Sequence, residues 1–166
     1  MEIEIIALST EDGADIYEMI KEIGLGENGF TNSIPTNDYD EFNKSLEGYS
    51  EIANGINLPE NYVPQTIYWL VMNGKPVGYG KLRHHLNEKL RQYGGHIGYI
   101  IRPTERGKGY GTIFLSELLS EARKKMISEV LITCDEDNAR SRRVIESNNG
   151  QLQDVQNGVC RYWITT

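Results

Sequence analysis

Apolar and polar residues recur with two different spacings along this chain of 166 residues. Short runs rich in β-branched and aromatic residues predict strands, whereas apolar residues spaced three and four apart predict amphipathic helices. Two Asn-Gly pairs, Asn73-Gly74 and Asn157-Gly158, separate such runs and predict β-hairpins. The predicted order is β-α-α-β-β-β-α-β-α-β-β, an α/β fold with a mixed sheet flanked by helices.

The predicted elements cover most of the chain. The strands are expected at 2–8, 66–72, 76–82, 96–101, 130–133, 150–155 and 159–164. The helices are expected from Ser9 or Thr10 to 23, at 38–53, from the glycines to Met126, and from Asp135 or Asp137 to 147. Residues 86–92 form a short helix or a loop. No internal repeat divides the chain, and its length fits a single domain over 1–166.

Three alternating glycines stand between the strand predicted at 96–101 and the helix that follows it. They are Gly107, Gly109 and Gly111. The first turn of a helix has four N–H groups without intrahelical partners and the positive end of the helix dipole. Because glycine has no Cβ, an anion can approach these amides closely. Positive charge is added by two neighbouring side chains, Arg106 and Lys108. The segment therefore predicts a phosphate-binding turn.

The spacing of these residues selects among the glycine-rich turns. The dinucleotide pattern GxGxxG would need a glycine where Thr112 stands, and GxxxxGK[ST] occurs nowhere in the chain. Arg106, Gly109 and Gly111 instead fit R-x-x-G-x-G, preceded by Ile101-x-Pro103. In this the sequence resembles the GNAT superfamily of acyl-CoA-dependent N-acetyltransferases, whose pyrophosphate loop is [QR]-x-x-G-x-[GA] between a strand and a helix.

A second motif extends the resemblance. The run Asn138-Ala139-Arg140-Ser141 fits the Asn-x-x-[AS] that GNAT enzymes usually carry at the start of the helix after their fifth strand. The order of elements also matches over most of the chain, least well at 24–64, which in such enzymes contributes to the acceptor side. The family often has a tyrosine seven residues after the Asn, which protonates the departing CoA thiolate. Here that position is Ile145, so the general acid is unassigned.

The resemblance implies a fold, a co-substrate and a reaction. The fold is a GNAT-like, mostly antiparallel mixed sheet with a splayed central pair of parallel strands. The co-substrate is acetyl-CoA and no metal is implied. The reaction is direct attack of a primary amine on the thioester in a ternary complex. We keep two alternatives, a CoA-binding regulatory module without catalysis and a nucleotide- or phosphate-binding domain.

The resemblance also implies which residues bind the cofactor. The backbone at Ile100 and Ile101 would hold pantetheine, and the loop from Arg106 to Thr112 would hold the pyrophosphate. The full set is Ile100, Ile101, Arg106, Gly107, Lys108, Gly109, Tyr110, Gly111, Thr112, Asn138 and Ser141. Lys108, Arg142 and Arg143 are candidates for the 3′-phosphate or, equally, basic residues of a solvated helix surface. Asn138 can alternatively be an ordinary helix cap.

Three residues are candidates for catalysis. His96 opens the strand before the glycine turn, where some GNAT enzymes place a basic residue, but alternation puts it opposite Tyr99 and Ile101. Tyr99 or Cys134 could donate a proton to the thiolate. Each of the three also has a structural interpretation, as a hydrogen-bonded or packed residue of a strand.

The net charge of −7 is unevenly distributed. Residues 1–60 carry 14 acidic residues and two lysines, whereas the remainder carries 10 acidic and 15 basic residues. The basic part contains the glycine turn, as an anionic cofactor requires, and the acidic part could attract a cationic amine or be a solvated surface. Asp38, Asp40 and Glu41 are its candidates near the acceptor side.

Composition narrows the partners and the compartment. The sequence has no basic patch interleaved with aromatic residues, so a nucleic-acid partner is not expected. It also has no apolar run near 18 residues and no signal-peptide pattern, so no membrane partner is expected. Two cysteines, Cys134 and Cys160, make no disulfide framework, which favours a reducing, cytoplasmic location. The expected partner is a small-molecule or peptide amine, and a homodimer remains open.

Overall fold

The computed structural model describes all residues, 1–166. Its seven strands are β1 Ile3–Ala7, β2 Gln65–Met72, β3 Lys75–Arg83, β4 Ile97–Ile101, β5 Glu129–Asp135, β6 Gln151–Gln156 and β7 Val159–Thr165. Its five α-helices are α1 Ala14–Ile23, α2 Tyr39–Ala53, α3 Glu88–Gln92, α4 Tyr110–Lys124 and α5 Ala139–Ser147, with a 3₁₀ turn at Pro103–Glu105. The predicted α/β order is confirmed, and 86–92 contains a short helix.

The strands form two sheets that meet at β4 and β5. One sheet has the order β1-β2-β3-β4 and the other the order β5-β7-β6, and all their pairings are antiparallel. No ladder joins β4 to β5, so the two central strands part as the GNAT resemblance implies. Both Asn-Gly pairs at the predicted hairpins have positive φ angles, 52° and 80° at Asn73-Gly74 and 53° and 77° at Asn157-Gly158, as tight hairpins require.

Two hydrophobic cores lie on opposite faces of the first sheet. The larger packs α4 and α5 against both sheets, and the smaller packs α1 and α2 against β2 and β3. Helix α4 lies close to β3 because Gly78 leaves room for Phe114: a Cβ at Gly78 would lie 2.8 Å from the Phe114 ring. No helix is long and apolar enough to cross a membrane.

Three local predictions are corrected. Helix α1 begins at Ala14 with Gly13 as its N-cap, because the carboxylate of Asp12 accepts hydrogen bonds from the Ser9 N–H at 3.0 Å and from Trp69 Nε1 at 2.8 Å. Residues 9–12 therefore form a turn. Helix α4 ends before Met126, whose φ is +65° and whose side chain is exposed.

The cap of helix α5 is also corrected. It is Asn138, whose side-chain oxygen accepts a hydrogen bond from the Ser141 N–H at 3.2 Å, rather than Asp135 or Asp137. Asp135 is instead the last residue of β5.

Candidate active site

Two adjoining cavities lie where β4 and β5 separate. The first has a volume of about 300 Å³ and lies against the glycine turn and the N-terminus of α5. The second has a volume of about 140 Å³ and lies between β3, β4 and β5. Asn28, Tyr99 and Ser141 line both cavities, so the two form one continuous cleft.

The glycine turn forms one wall of the first cavity. Gly109 is the N-cap of α4 with a φ of +81°, and no side chain caps the helix. Gly107 has a φ of +79°, and a Cβ at either residue would meet no atom within 4 Å, so these glycines are required by backbone conformation. The free amides of the first turn of α4 remain open to an anion. This fits a diphosphate group.

Arg106 lies at the mouth of this turn. Its Nε donates to the Ile101 carbonyl at 3.1 Å, and its Nη1 forms an ion pair with Glu27, which also lines the first cavity. An anion bound in the cavity would therefore compete with Glu27 for Arg106.

Lys108 does not line either cavity. Its Nζ donates to Glu105 at 2.6 Å, and Lys75 contacts the other oxygen of the same carboxylate at 2.6 Å. These two partners lower the pKa of Glu105 to about 2. The structure thus shows Lys108 in an ion pair beside the turn, and its contact with a phosphate stays a prediction.

The phase of the β3–β4 ladder is fixed by a hydrogen bond at each end. The Arg83 N–H donates to the His96 carbonyl at 2.7 Å, and the Arg102 N–H donates to the Val77 carbonyl at 2.7 Å. In an antiparallel ladder, residues bonded to the partner strand alternate with residues whose backbone groups point away from it. Every second residue of β4 therefore turns its N–H and C=O towards β5.

This phase decides which backbone groups of β4 are free. Ile100 lines the first cavity, but its N–H and C=O are directed to β3. Tyr99 and Ile101 direct theirs into the gap, where the Ile101 carbonyl accepts from Arg106 Nε. Sequence reasoning chose Ile100 and Ile101 for a backbone grip on pantetheine, whereas the backbone groups not bonded to β3 are those of Tyr99 and Ile101.

The N-terminus of α5 forms the opposite wall. Asn138 uses only its side-chain oxygen to cap the helix, which leaves the two N–H groups of its amide as donors towards the first cavity. Arg140 also lines this cavity and forms no ion pair, and sequence reasoning missed it although it lies inside the quoted motif. Arg142 instead donates to the Tyr162 hydroxyl at 3.1 Å. Arg143 is exposed and lines neither cavity.

His96 joins the two central strands at the closed end of the cleft. Its N–H donates to the Leu131 carbonyl at 2.8 Å, and its ring Nδ1 accepts from the Leu131 N–H at 2.9 Å. The backbone is so close here that a Cβ on Gly95 would lie 2.3 Å from the Leu131 oxygen. Burial lowers the pKa of His96 to about 4, so the ring is neutral. It lines neither cavity, and its contacts are those of a structural residue.

Tyr99 and Cys134 are both in the cleft. Tyr99 lines both cavities, and burial raises its pKa to about 12, partly offset by the neighbouring Ser141 side chain. Cys134 lines the second cavity, and burial, followed by the adjacent Cys160, raises its pKa to about 12. Both groups therefore hold their protons at neutral pH. Ile145, at the usual tyrosine position, is buried against the second cavity.

The acidic residues of α2 do not reach the cleft. Asp38 caps α2 by accepting from the Glu41 N–H at 2.8 Å, and neither these two nor Asp40 lines a cavity. From the first sixty residues, only the loop 27–31 contributes to the cleft, and its one acid, Glu27, is paired with Arg106.

The cleft between the two parted strands thus combines backbone groups of β4 that are not bonded to β3 with an uncapped glycine turn and the N-terminus of α5, an arrangement suited to an extended molecule with an anionic end. Residues 4–151 match the acetyltransferase (GNAT) domain family. The chain therefore belongs to the GNAT family and is an acyl-CoA-dependent acyltransferase of the GNAT type. No curated protein matches it in sequence.

Solved structures share the fold at low sequence identity. The putative acetyltransferase yncA from Salmonella typhimurium, with acetyl-CoA, is 19% identical, with a TM-score of 0.64 over 98% of this chain and 93% of its own. The Campylobacter jejuni N-acetyltransferase PseH, in complex with acetyl-CoA, is 11% identical, with a TM-score of 0.66 over 99% of both chains. A Salmonella typhimurium acetyltransferase that modifies the N-terminal serine of ribosomal protein L7/L12 is 17% identical, with a TM-score of 0.66 over 99% and 95%.

Proposed function

We propose that this protein transfers the acetyl group of acetyl-CoA to a primary amine by direct attack within a ternary complex. The observation that carries the proposal is the continuity of the cleft. Its first cavity has the free helix amides suited to a diphosphate, and its second cavity continues past Tyr99 between β3, β4 and β5. Two reactants can thus approach one another from the two cavities.

The residues of the first cavity would hold the cofactor. The amides of Tyr110, Gly111 and Thr112 would bind the pyrophosphate, with Arg106 and Arg140 adding charge. Bound acetyl-CoA supplies an activated acyl group as a thioester.

Backbone and side-chain groups at the junction would position that group. The free N–H groups of Tyr99 and Ile101 lie on the β4 edge, and Asn138, which lines the same cavity, offers its side-chain amide from the start of α5. Such preorganised donors stabilise negative charge on a carbonyl oxygen better than mobile water does.

Tyr99 is the proposed proton donor to the departing thiolate. It lines both cavities, and its raised pKa keeps it protonated at neutral pH. The hydroxyl therefore stands at the junction with a proton to give, a position that Ile145 cannot fill chemically. Cys134 lines only the second cavity and is the second candidate.

A matched pair of substitutions at Gly109 tests the cofactor site. Asn tolerates the left-handed backbone better than most residues and has nearly the shape of Asp, so Gly109→Asn and Gly109→Asp differ mainly in charge. We expect Gly109→Asp to weaken CoA binding at least tenfold more than Gly109→Asn, because a carboxylate would face the pyrophosphate. Calorimetric titration with CoA measures this, and equal affinities in two folded variants would contradict the proposal.

A screen of amines separates the proposal from its alternatives. Acetyl-CoA-dependent release of free thiol with any amine would exclude a CoA-binding module without catalysis. Competition of ATP or NAD against CoA would detect a nucleotide-binding domain. In that case either nucleotide should displace bound CoA at concentrations similar to that of CoA itself.

A further inference from the structure

The second cavity contains two cations and no acid. Lys81 and Arg83 are two residues apart on β3, so their side chains share one face of the sheet. None of the residues that line the cavity is Asp or Glu, and neither cation takes part in an ion pair. The residues that line the cavity therefore carry a net positive charge, and the nearest carboxylate contacted by a lining residue is that of Asp135, 3.5 Å from the Tyr93 hydroxyl.

The two cations are held by neutral groups only. Lys81 Nζ donates to the Thr31 carbonyl and lies 4.5 Å from the centre of the Phe30 ring. Burial, with a smaller contribution from Arg83, lowers the pKa of Lys81 to about 8. A cation removed from water without a counter-charge is unfavourable, and an anion entering the cavity would relieve that cost.

Arg83 keeps part of its donor capacity free. Its Nε donates to the Gln65 side chain at 3.1 Å, and its Nη1 donates to the Gly94 carbonyl at 3.1 Å and the Gly95 carbonyl at 3.4 Å. Its Nη2 has no protein acceptor among the hydrogen bonds of the structure, so a guanidinium fixed by three bonds still has a donor group left.

A third observation comes from Tyr79, on the same face of β3. Its ring centre lies 5.8 Å from Lys81 Nζ, and its hydroxyl is buried without a hydrogen-bond partner. Burial raises the pKa of Tyr79, so the hydroxyl remains a donor. Buried hydroxyl groups without partners are rare, so Tyr79 has an unused donor on the face of β3 that carries the two cations, although it does not itself line the cavity.

We propose that the second cavity binds an anionic group of the acceptor, so that the acceptor is an amine that also carries a carboxylate or a similar anion, such as an α-amino acid. This rests on the amine acetylation proposed above and narrows its substrate class. Lys81 and Arg83 would bind the anion, and the amine would face the first cavity across Tyr99. The volume of about 140 Å³ is below the roughly 300–1,000 Å³ of sites for drug-sized ligands, so it takes a small acceptor or the reacting end of a larger one.

The same charges disfavour a cationic acceptor. A diamine placed in the second cavity would meet two like charges in a partly desolvated space. The acidic residues of α2 that could have attracted it lie outside the cleft, and Glu27 is engaged by Arg106. We therefore expect the charges of the second cavity, rather than the acidic surface of the first sixty residues, to select the acceptor.

The test compares matched amines on the CoA-saturated protein. Titration calorimetry would use L-α-amino acids, aminoalkylphosphonates, the corresponding amino-acid amides and diamines. We expect the amino acids, the aminoalkylphosphonates or both to bind tenfold or more tightly than the amides. Whichever of these two series binds more tightly identifies the anion as a carboxylate or a phosphonate. Equal binding of amides, preferred binding of diamines, or no detectable binding of any anionic amine would overturn the inference.

Substitutions at Lys81 locate the effect. Lys81→Met should reduce the preference for the anionic amine several-fold while CoA affinity stays unchanged, and Lys81→Arg should restore it. The control is Lys44→Met, which removes the same charge from the exposed face of α2. If Lys81→Met does not fold, Lys81→Gln serves as the second neutral variant. An unchanged preference in folded Lys81 variants, or an equal loss of kcat/KM for amino acids and their amides, would contradict an anion-binding role.

These measurements separate the inference from the proposed function. If anionic amines bind preferentially and none is acetylated, the proposed function fails and the anion site stands. If amines are acetylated without regard to charge, the proposed function stands and the inference fails.

Discussion

His96 gives the sharpest quantitative test of how the cleft is built. It is 6% exposed, and its unprotonated Nδ1 accepts the Leu131 N–H at 2.9 Å, the contact that holds β4 to β5. Burial lowers the pKa of His96 from 6.5 to about 4, so between these pH values the unfolded chain binds a proton at this residue and the folded protein does not. The stabilisation from this residue is complete above pH 6.5 and is lost as the pH falls towards 4.

The magnitude follows from the two pKa values. The shift from 6.5 to about 4 corresponds to about 3 kcal/mol in total, of which about 2 kcal/mol is lost between pH 7 and pH 4.5. His96→Asn retains an acceptor oxygen for Leu131 but does not titrate. Urea unfolding at the two pH values should therefore show the wild type losing about 2 kcal/mol more of its unfolding free energy than the variant. The other titrating groups cancel in this comparison.

The same variant tests the catalytic hypothesis for His96. If His96 is structural, His96→Asn should keep kcat/KM within a few-fold of the wild type at pH 7. If His96 is the general base, its loss should lower kcat/KM by about 10²–10⁴-fold. Identical pH dependence of unfolding in the two proteins would refute the structural reasoning, and a large loss of activity without loss of stability would restore the catalytic role.

Two further substitutions address the cofactor side. Glu27→Gln should strengthen CoA binding by up to about five-fold by calorimetry, because an exposed ion pair worth about 0.2–1 kcal/mol no longer competes for Arg106. Glu41→Gln, which removes the same charge outside the cleft, should have no effect, and equal gains in both variants would indicate a general charge effect. Tyr99→Phe should lower kcat at least tenfold and leave CoA affinity unchanged, and an undiminished kcat would remove Tyr99 as the proton donor.

Features set by local chemistry were predictable from the sequence. Asn73-Gly74 and Asn157-Gly158 form hairpins because both residues accept positive φ, whatever surrounds them. Gly107 and Gly109 likewise have the positive φ that a turn open to an anion needs. The family motif then placed this turn between a strand and a helix.

Features set by contacts distant in sequence were not predictable. The start of α1 depends on Trp69 of β2, whose Nε1 donates a hydrogen bond to the carboxylate of Asp12. The free groups of β4 depend on the phase of its ladder with β3, which no composition reveals. Lys81 and Arg83 look like ordinary polar positions of a hairpin strand until the tertiary fold places them in one cavity.

The gap between β4 and β5 gives the molecule a strand edge in its interior. An unpaired edge readily accepts another strand, and proteins usually cover or interrupt such edges. Here the loop 28–31 lies over the second cavity and His96 closes one end. A bound pantetheine would act as a surrogate strand along this edge. Amide hydrogen exchange at Tyr99 and Ile101 should accordingly slow when CoA is added, while Gly98 and Ile100, already bonded to β3, should respond much less.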